Sequence, residues 1–277
     1  MKPELFNTTS ELKTLAMSAP EAVQVEVAHT QPGYDSTVPT DNYIGVWNKT
    51  TSHLSCVASR RYGIVQHRDV LEAFADTLQE VGLNIRGGIH YDEKGDEMRV
   101  QVFFQDEEKL IKDDAKGIQL GVRLINSYNL TNSLRGEMWG LRLVCSNGMK
   151  LPGFEAVYRR NHMGVIDVKK GMTDFVKTII ERRPVIEKLV MKNIEETLEY
   201  ELSVKVFQKL FEVKKHRKIL LNKLEAYKGK RFTKWELYNM VTNYATHGQG
   251  LRISAIDWLQ DKARKLLTQP IEVLIHE

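Results

Sequence analysis

The sequence predicts an α+β protein: an antiparallel sheet in hairpin–helix–meander order, followed by a helical C-terminal region. Three observations carry this. Between Tyr43 and Val144, short runs alternate apolar and polar residues, interrupted once by a run with helical spacing. Beyond Pro152 the apolar residues recur at three- and four-residue steps. Polar turn residues separate the first set of runs at distances suited to strands. The expected organisation is a flexible lead-in over 1–40, an antiparallel α+β core over 41–152 and a basic helical region over 153–277.

Within 1–40, a short helix from Thr9 to Met17 with Ser10 as its cap precedes loop composition from Gln31 to Pro39. Tyr43–Trp47 and Leu54–Ala58 flank the turn Asn48-Lys49-Thr50 and make a hairpin. Val70, Leu71, Phe74, Leu78 and Val81 then share one helical face, and Gly82 ends the run. Four strands follow, Leu83–Tyr91, Met98–Phe104, Ile118–Ile125 and Glu137–Val144, with an acidic loop or short helix from Gln105 to Asp114. Phe175, Ile179 and Ile180 suit a helix that Pro184 breaks or restarts. Val185–Val213 continues with helical spacing, and Lys218–Tyr227 prolongs it or forms a second helix. After the basic turn Lys228-Gly229-Lys230-Arg231, Thr233 is placed to cap a helix carrying Trp235, Leu237, Tyr238 and Val241. Arg252–Leu267 is the last helix expected.

The 277 residues are 42% hydrophobic and 27% charged, the balance of a globular protein able to bury one good core. No apolar run approaches the ~18 residues of a membrane span. The first residues lack an apolar signal core, so a cytoplasmic location is expected. Cys56 and Cys145 are too few for a disulfide framework or a cysteine metal site, and both are expected as buried thiols on strands. The net charge of +4 hides an asymmetry: residues 1–154 hold 16 basic against 20 acidic side chains, and 155–277 hold 24 against 16. Residues 202–234 alone carry 11 basic residues against Glu212 and Glu225. Such local concentration suits either a polyanion partner or a solvated helix face.

Motifs for familiar catalysis are missing. There is no phosphate-binding glycine loop, dinucleotide fingerprint or nucleophile elbow. The eight histidines, His67 and His247 among them, stand in no metal-binding frame and are expected to be structural, and no cofactor or metal is expected. Asp92, Glu93, Asp96 and Glu97 bracket a turn; they could hold Mg²⁺ in a nuclease, although acidic turns are usually solvated.

The densest polar stretch is Asn126-Ser127-Tyr128-Asn129-Leu130-Thr131-Asn132-Ser133, a hairpin tip between alternating strands, with Arg123, Arg135 and Arg142 nearby. It offers many hydrogen-bond donors to phosphate or sugar, and is equally compatible with an ordinary solvated hairpin. The same stretch, with Arg142-Leu143-Val144-Cys145-Ser146-Asn147 after it, resembles the "NS-x-DGS…RVVC-x-N" signature of the domain of unknown function 932, a family associated with phages and plasmids. Arg61-Tyr62-Gly63-Ile64-Val65-Gln66-His67 is similar to that family's "RY-x-VVQN-x-E" block, and Tyr238–His247 resembles its "YNA-x-TEY-x-DH" block. Here Asn129-Leu130-Thr131 replaces Asp-Gly-Ser, and His67 stands where the family has Asn. The resemblance implies membership and a virus- or plasmid-linked origin, but no chemistry.

The order of elements also looks like the core of the Rad fifty-two type of single-strand annealing protein, an analogy of element order alone. The expectation is therefore an ATP-independent protein that binds and anneals single-stranded DNA as a homo-oligomeric ring or filament. Arg60, Arg61, Arg123, Arg135 and Arg142 would hold phosphates, and Asn126, Asn129, Thr131 and Asn132 would meet backbone or sugar. Lys214, Lys215, Arg217, Lys218, Lys228, Lys230 and Arg231 would form a second basic surface. The alternatives are a protein-binding or assembly module acting against host defence, and a metal-dependent nuclease.

Overall fold

The computed structural model describes residues 3–30, 37–105, 118–142, 147–149, 158–251 and 253–276. It shows the expected α+β class, with antiparallel pairing and a helical C-terminal region. The chain divides into two compact units: 1–106, 121–138 and 156–180 make the first, and 107–120, 139–155 and 181–277 the second. The division differs from the expected boundary after 152.

In the first unit the strands are β1 (Glu4–Phe6), β2 (Ala22–Thr30), β3 (Thr37–Asn48), β4 (His53–Ser59), β5 (Ile85–Tyr91), β6 (Glu97–Phe104), β7 (Ile118–Ser127), β8 (Leu134–Arg142) and β10 (Tyr158–Arg160). The ends of β7 and β8 run into the second unit, where β9 (Asn147–Met149) pairs with β8. The main sheet has the order β1-β5-β6-β7-β8-β10, whereas β2, β3 and β4 form a sheet of their own. Hairpin and meander are thus not one sheet.

Residues 4–30 are not a lead-in. β1 pairs with β5, β2 pairs with β3, and α1 (Thr9–Met17) lies between them in the chain. Phe6, Leu12, Ala16 and Ala22 are fully buried, so this segment supplies core that composition alone does not advertise. Thr8, not Ser10, caps α1 by accepting from the Glu11 backbone N–H at 3.1 Å. α2 (His67–Val81) matches its apolar spacing and ends at Gly82, whose φ of 74° is the left-handed conformation that glycine adopts without strain.

α3 (Val168–Glu195) runs through Pro184, where the sequence predicts a break or restart. Pro184 cannot donate to the carbonyl of Ile180, the residue at which the two units divide. The helical spacing after it is split by β11 (Thr197–Leu198) into α3 and α4 (Tyr200–Leu210).

The second unit also contains α5 (Lys214–Leu224), β12 (Phe232–Thr233), α6 (Lys234–His247), α7 (Ile253–Thr268) and α8 (Ile271–His276). Its core includes Val206, Phe207, Phe211, Leu220, Tyr238 and Leu259. Thr233 caps α6 as expected, in a capping box with Glu236. Thr233→Ala should lower the unfolding free energy by about 1 kcal/mol, read as a lower urea midpoint at unchanged slope. Among the described residues no helix is long and apolar enough to cross a membrane.

Candidate functional site

One face of the first unit's sheet is core. Ile85, Ile89, Val100, Val102, Val122, Leu124, Leu134 and Met138 occupy alternate positions and are buried, and Phe175 of α3 closes on Gly136 of β8. The other face carries the arginines, with Ile125 buried among them beside Arg99. Register places His90 beside Arg99, Arg86 beside Phe103, Gln101 beside Arg123, and Arg135 beside Arg159. Side chains directly opposite on antiparallel strands share a face, so Arg86, Arg99, Arg123, Arg135 and Arg159 project from five adjoining strands. Glu97 and Glu137 oppose them: Arg99 lies 3.4 Å from Glu97, Arg123 Nε donates to Glu137 at 2.9 Å, and Arg135 is 3.5 Å from Glu137. Arg86, Arg99 and Arg159 are exposed; Arg123 and Arg135 are half-buried.

Of the arginines expected to hold phosphate, Arg123 and Arg135 therefore stand together, braced by one carboxylate. Arg60 and Arg61 are exposed beyond the end of β4, Arg60 at 3.9 Å from Asp41. The Arg142 side chain lies outside the described residues. Asn126 is a correction: it is fully buried, because even-numbered positions of β7 face the core and the strand extends through Ser127. Asn129, Thr131 and Asn132 do form the tip but are engaged locally. Thr131 Oγ1 lies 2.6 Å from Asn129 Oδ1 and 2.8 Å from Glu97 Oε1, and the Asn132 N–H donates to Ser127 Oγ. Arg86 and Arg159 are site residues that the sequence does not single out, and Arg99, one of the basic and aromatic residues the sequence places on the strands, is not among those expected to hold phosphate. Strand alternation could have placed Arg99 on the polar face, but Arg159 sits on a three-residue strand too short to show a period.

Beneath this face the two sequence blocks meet in a buried polar cluster. Asn126 Nδ2 donates to the Val65 carbonyl at 2.8 Å and to His67 Nδ1 at 2.9 Å. Tyr128 stacks on His67 with centroids 4.0 Å apart, and its hydroxyl donates to the Pro20 carbonyl and accepts from the His67 backbone N–H. Gln66 clamps the backbone of Ala22 through both amide atoms. These bonds join the start of α2, the end of β7 and the chain entering β2. His67 is held neutral: burial pushes its pKa down to about 3, against the smaller upward pull of the Gly95 and Asp96 backbone and the Asp96 carboxylate.

The acidic turn is structural as well. Asp92 accepts the backbone N–H groups of Asp96 and Glu97. Asp96, 2% exposed, accepts from Ser55, His53 and Asn48. Burial would raise its carboxyl, but these donors hold it below the usual carboxylate range. Among the described residues no group of three or more His, Cys, Asp or Glu side chains is placed to hold a metal ion. Cys56, half-buried, reaches the Tyr128 carbonyl, while Cys145 lies outside the described residues.

Comparison with family models matches residues 54–268 to the family described as Domain of unknown function (DUF932). The chain belongs to this family. No curated protein and no solved structure matches it. The likeness to Rad fifty-two type annealing proteins is unsupported: the chain order of hairpin, helix and four strands is as expected, but hairpin and meander lie in separate sheets and no solved structure matches. Both family blocks of the first unit lie within the matched span and supply the clamp of Gln66, His67, Asn126 and Tyr128. The third block lies in α6 of the second unit, where Tyr238, Val241 and Ala245 are core.

In the second unit, Lys214, Lys215, Lys218, Lys228, Lys230 and Arg231 are exposed on α5 and the turn after it, and Arg217 is half-buried with Nη1 on the Gln208 carbonyl at 3.3 Å. Glu225 is the acidic residue between them, while Glu212 is drawn to Lys262 at 2.7 Å. Lys234 is no part of this surface: its side chain is 5% exposed, with Nζ on Glu196 and on the Gln269 carbonyl.

Proposed function

We propose that this protein binds single-stranded DNA along the arginine-bearing sheet face of its first unit. The observation that carries the reading is the set Arg86, Arg99, Arg123, Arg135 and Arg159 on one face of adjoining strands, with Glu97 and Glu137 opposing it. Register staggers them along the strands: Arg86 stands four residues from His90, the partner of Arg99, and Arg123 two residues from Ile125, its partner on the other side, so they form a broad cationic patch that several phosphates can meet. Phe103 on the same face is half-buried and adds an apolar surface on which a base can rest. The exposed lysines of α5 and the following turn are a second surface for nucleic acid.

Binding of this kind needs charge and fixed geometry but no reactive group. Within the same reading the protein acts in the cytoplasm of a host cell, as a homo-oligomer of viral or plasmid origin, and annealing follows if two coated strands are brought together. The test is a salt series with a fluorescent single-stranded 20-mer and a matched duplex. Affinity for the single strand should fall steeply with salt, with a log–log slope of about −0.7 per phosphate held. Weak binding indifferent to strandedness and salt would move the function to a protein partner. Addition of the complementary strand then separates annealing from passive binding.

A further inference from the structure

Arg159 belongs to two features at once. Its backbone pairs opposite Arg135 on the sheet face, and its side chain also lines an open groove of about 880 Å³ along the outer edge of β10. The groove is also lined by Lys170, Gly171 and Asp174 from the first two turns of α3, and by Tyr158. The rim is the loop 161–167, on which Met163 is 54% exposed and Val165 fully so.

We propose that this groove is a nucleotide subsite, seating one residue of the single strand held on the sheet face; the inference rests on that reading. Arg159, Arg160 and Lys170 offer cations for the phosphate. Of the two carboxylates, Asp167 is committed to the start of α3, accepting from the Lys170 backbone N–H at 2.9 Å. Asp174 is exposed, an acceptor for an amino or hydroxyl group of base or sugar. Met163 and Val165 supply the apolar surface that an unstacked base covers. Neither an anion alone nor an apolar peptide uses all three kinds of group, and the volume is within the range of small-molecule sites.

The loop is held in place by the first family block. Tyr62 bridges to Met163 and stacks on His162 at 5.2 Å, and the Gly164 N–H donates to the Arg61 carbonyl at 2.8 Å. A Cβ on Gly63 would lie 2.2 Å from the Gly164 carbonyl oxygen, so only glycine lets the two segments approach. Arg61-Tyr62-Gly63 thus holds the loop that rims the groove.

The experiment compares wild type with Met163→Asp/Val165→Asp and Met163→Ala/Val165→Ala, using a fluorescent 20-residue thymidine oligonucleotide and a duplex of equal length. Both side chains are exposed, and an unchanged melting temperature verifies folding. The alanine pair should lose about fivefold and the aspartate pair more than about tenfold in affinity for the single strand, with duplex affinity unchanged, because a paired base is not available to the groove. Wild-type affinity in both variants overturns the groove while leaving the sheet face standing. Equal losses on single strand and duplex also overturn it. If wild type itself ignores the single strand, the proposed function fails first and the groove with it.

Discussion

Arg99→Glu/Arg159→Glu should weaken binding of a single-stranded 20-mer by about a hundredfold near 0.1 M salt, roughly tenfold for each phosphate that is released and then repelled. The slope of log affinity against log salt should become shallower by about 1.4, or 0.7 for each of two phosphates. These two arginines are the choice because they carry little of the fold. Arg99 faces Glu97 at 3.4 Å with almost half its side chain in solvent, a pair worth about 0–1 kcal/mol, and Arg159 bonds to the Ser133 hydroxyl. Arg123 would be the wrong target. It and Glu137 are each 17% exposed, so its loss would strand a shielded carboxylate and confuse stability with binding. Lys214→Glu/Lys218→Glu in α5 is the control that locates the site. Loss of binding in that variant with none in the sheet variant would assign the nucleic acid to the second unit and reject the arginine face.

How much of the fold is legible in the sequence depends on how local each signal is. α2 is readable because five apolar residues repeat at helical spacing and Gly82 follows. α6 is readable because Thr233 and Glu236 stand at the capping spacing. β1 is not: Leu5 is exposed and Phe6 buried, and a three-residue edge strand has no period until β5 supplies its partner. The path of α3 through Pro184 escapes a local reading because one proline removes one hydrogen bond, which flanking turns can offset. The site shows the same division. Arg123 and Arg135 are found by their nearness to the hairpin tip. Asn126 is misplaced because a polar residue next to a loop reads as part of it, and only the alternation of β7 turns it inward. The arginine patch spans β5 to β10, a join made by strand pairing that no single stretch of sequence displays.

His67 should make the protein acid-sensitive in a window set by its own ring. The ring is fully buried, Asn126 Nδ2 donates to its Nδ1, and a flipped Asn126 amide would set its oxygen against the Val65 carbonyl, so the amide orientation is fixed. Nδ1 must then be the acceptor of a neutral ring. With the folded pKa near 3 and the unfolded value near 6.5, the unfolded chain binds the proton first as pH falls. The contribution is complete above about pH 6.5 and drains towards pH 3, at up to about 1.4 kcal/mol per pH unit. The neighbours that face the ring do not reverse this sign. Tyr91 and Tyr128 stay neutral throughout, burial holds His162 below its ordinary value, and Asp96 keeps its charge until below the ordinary carboxylate range. His67→Asn, the residue the family block carries at this place, removes the titration while keeping a polar side chain. It should be less stable than wild type at about pH 7.5, since the stack on Tyr128 is lost, yet its urea midpoint should fall less steeply between about pH 6.5 and 4.5. Parallel pH profiles for the two proteins would mean that His67 is protonated within the fold and that the Asn126 bond has been assigned to the wrong atoms.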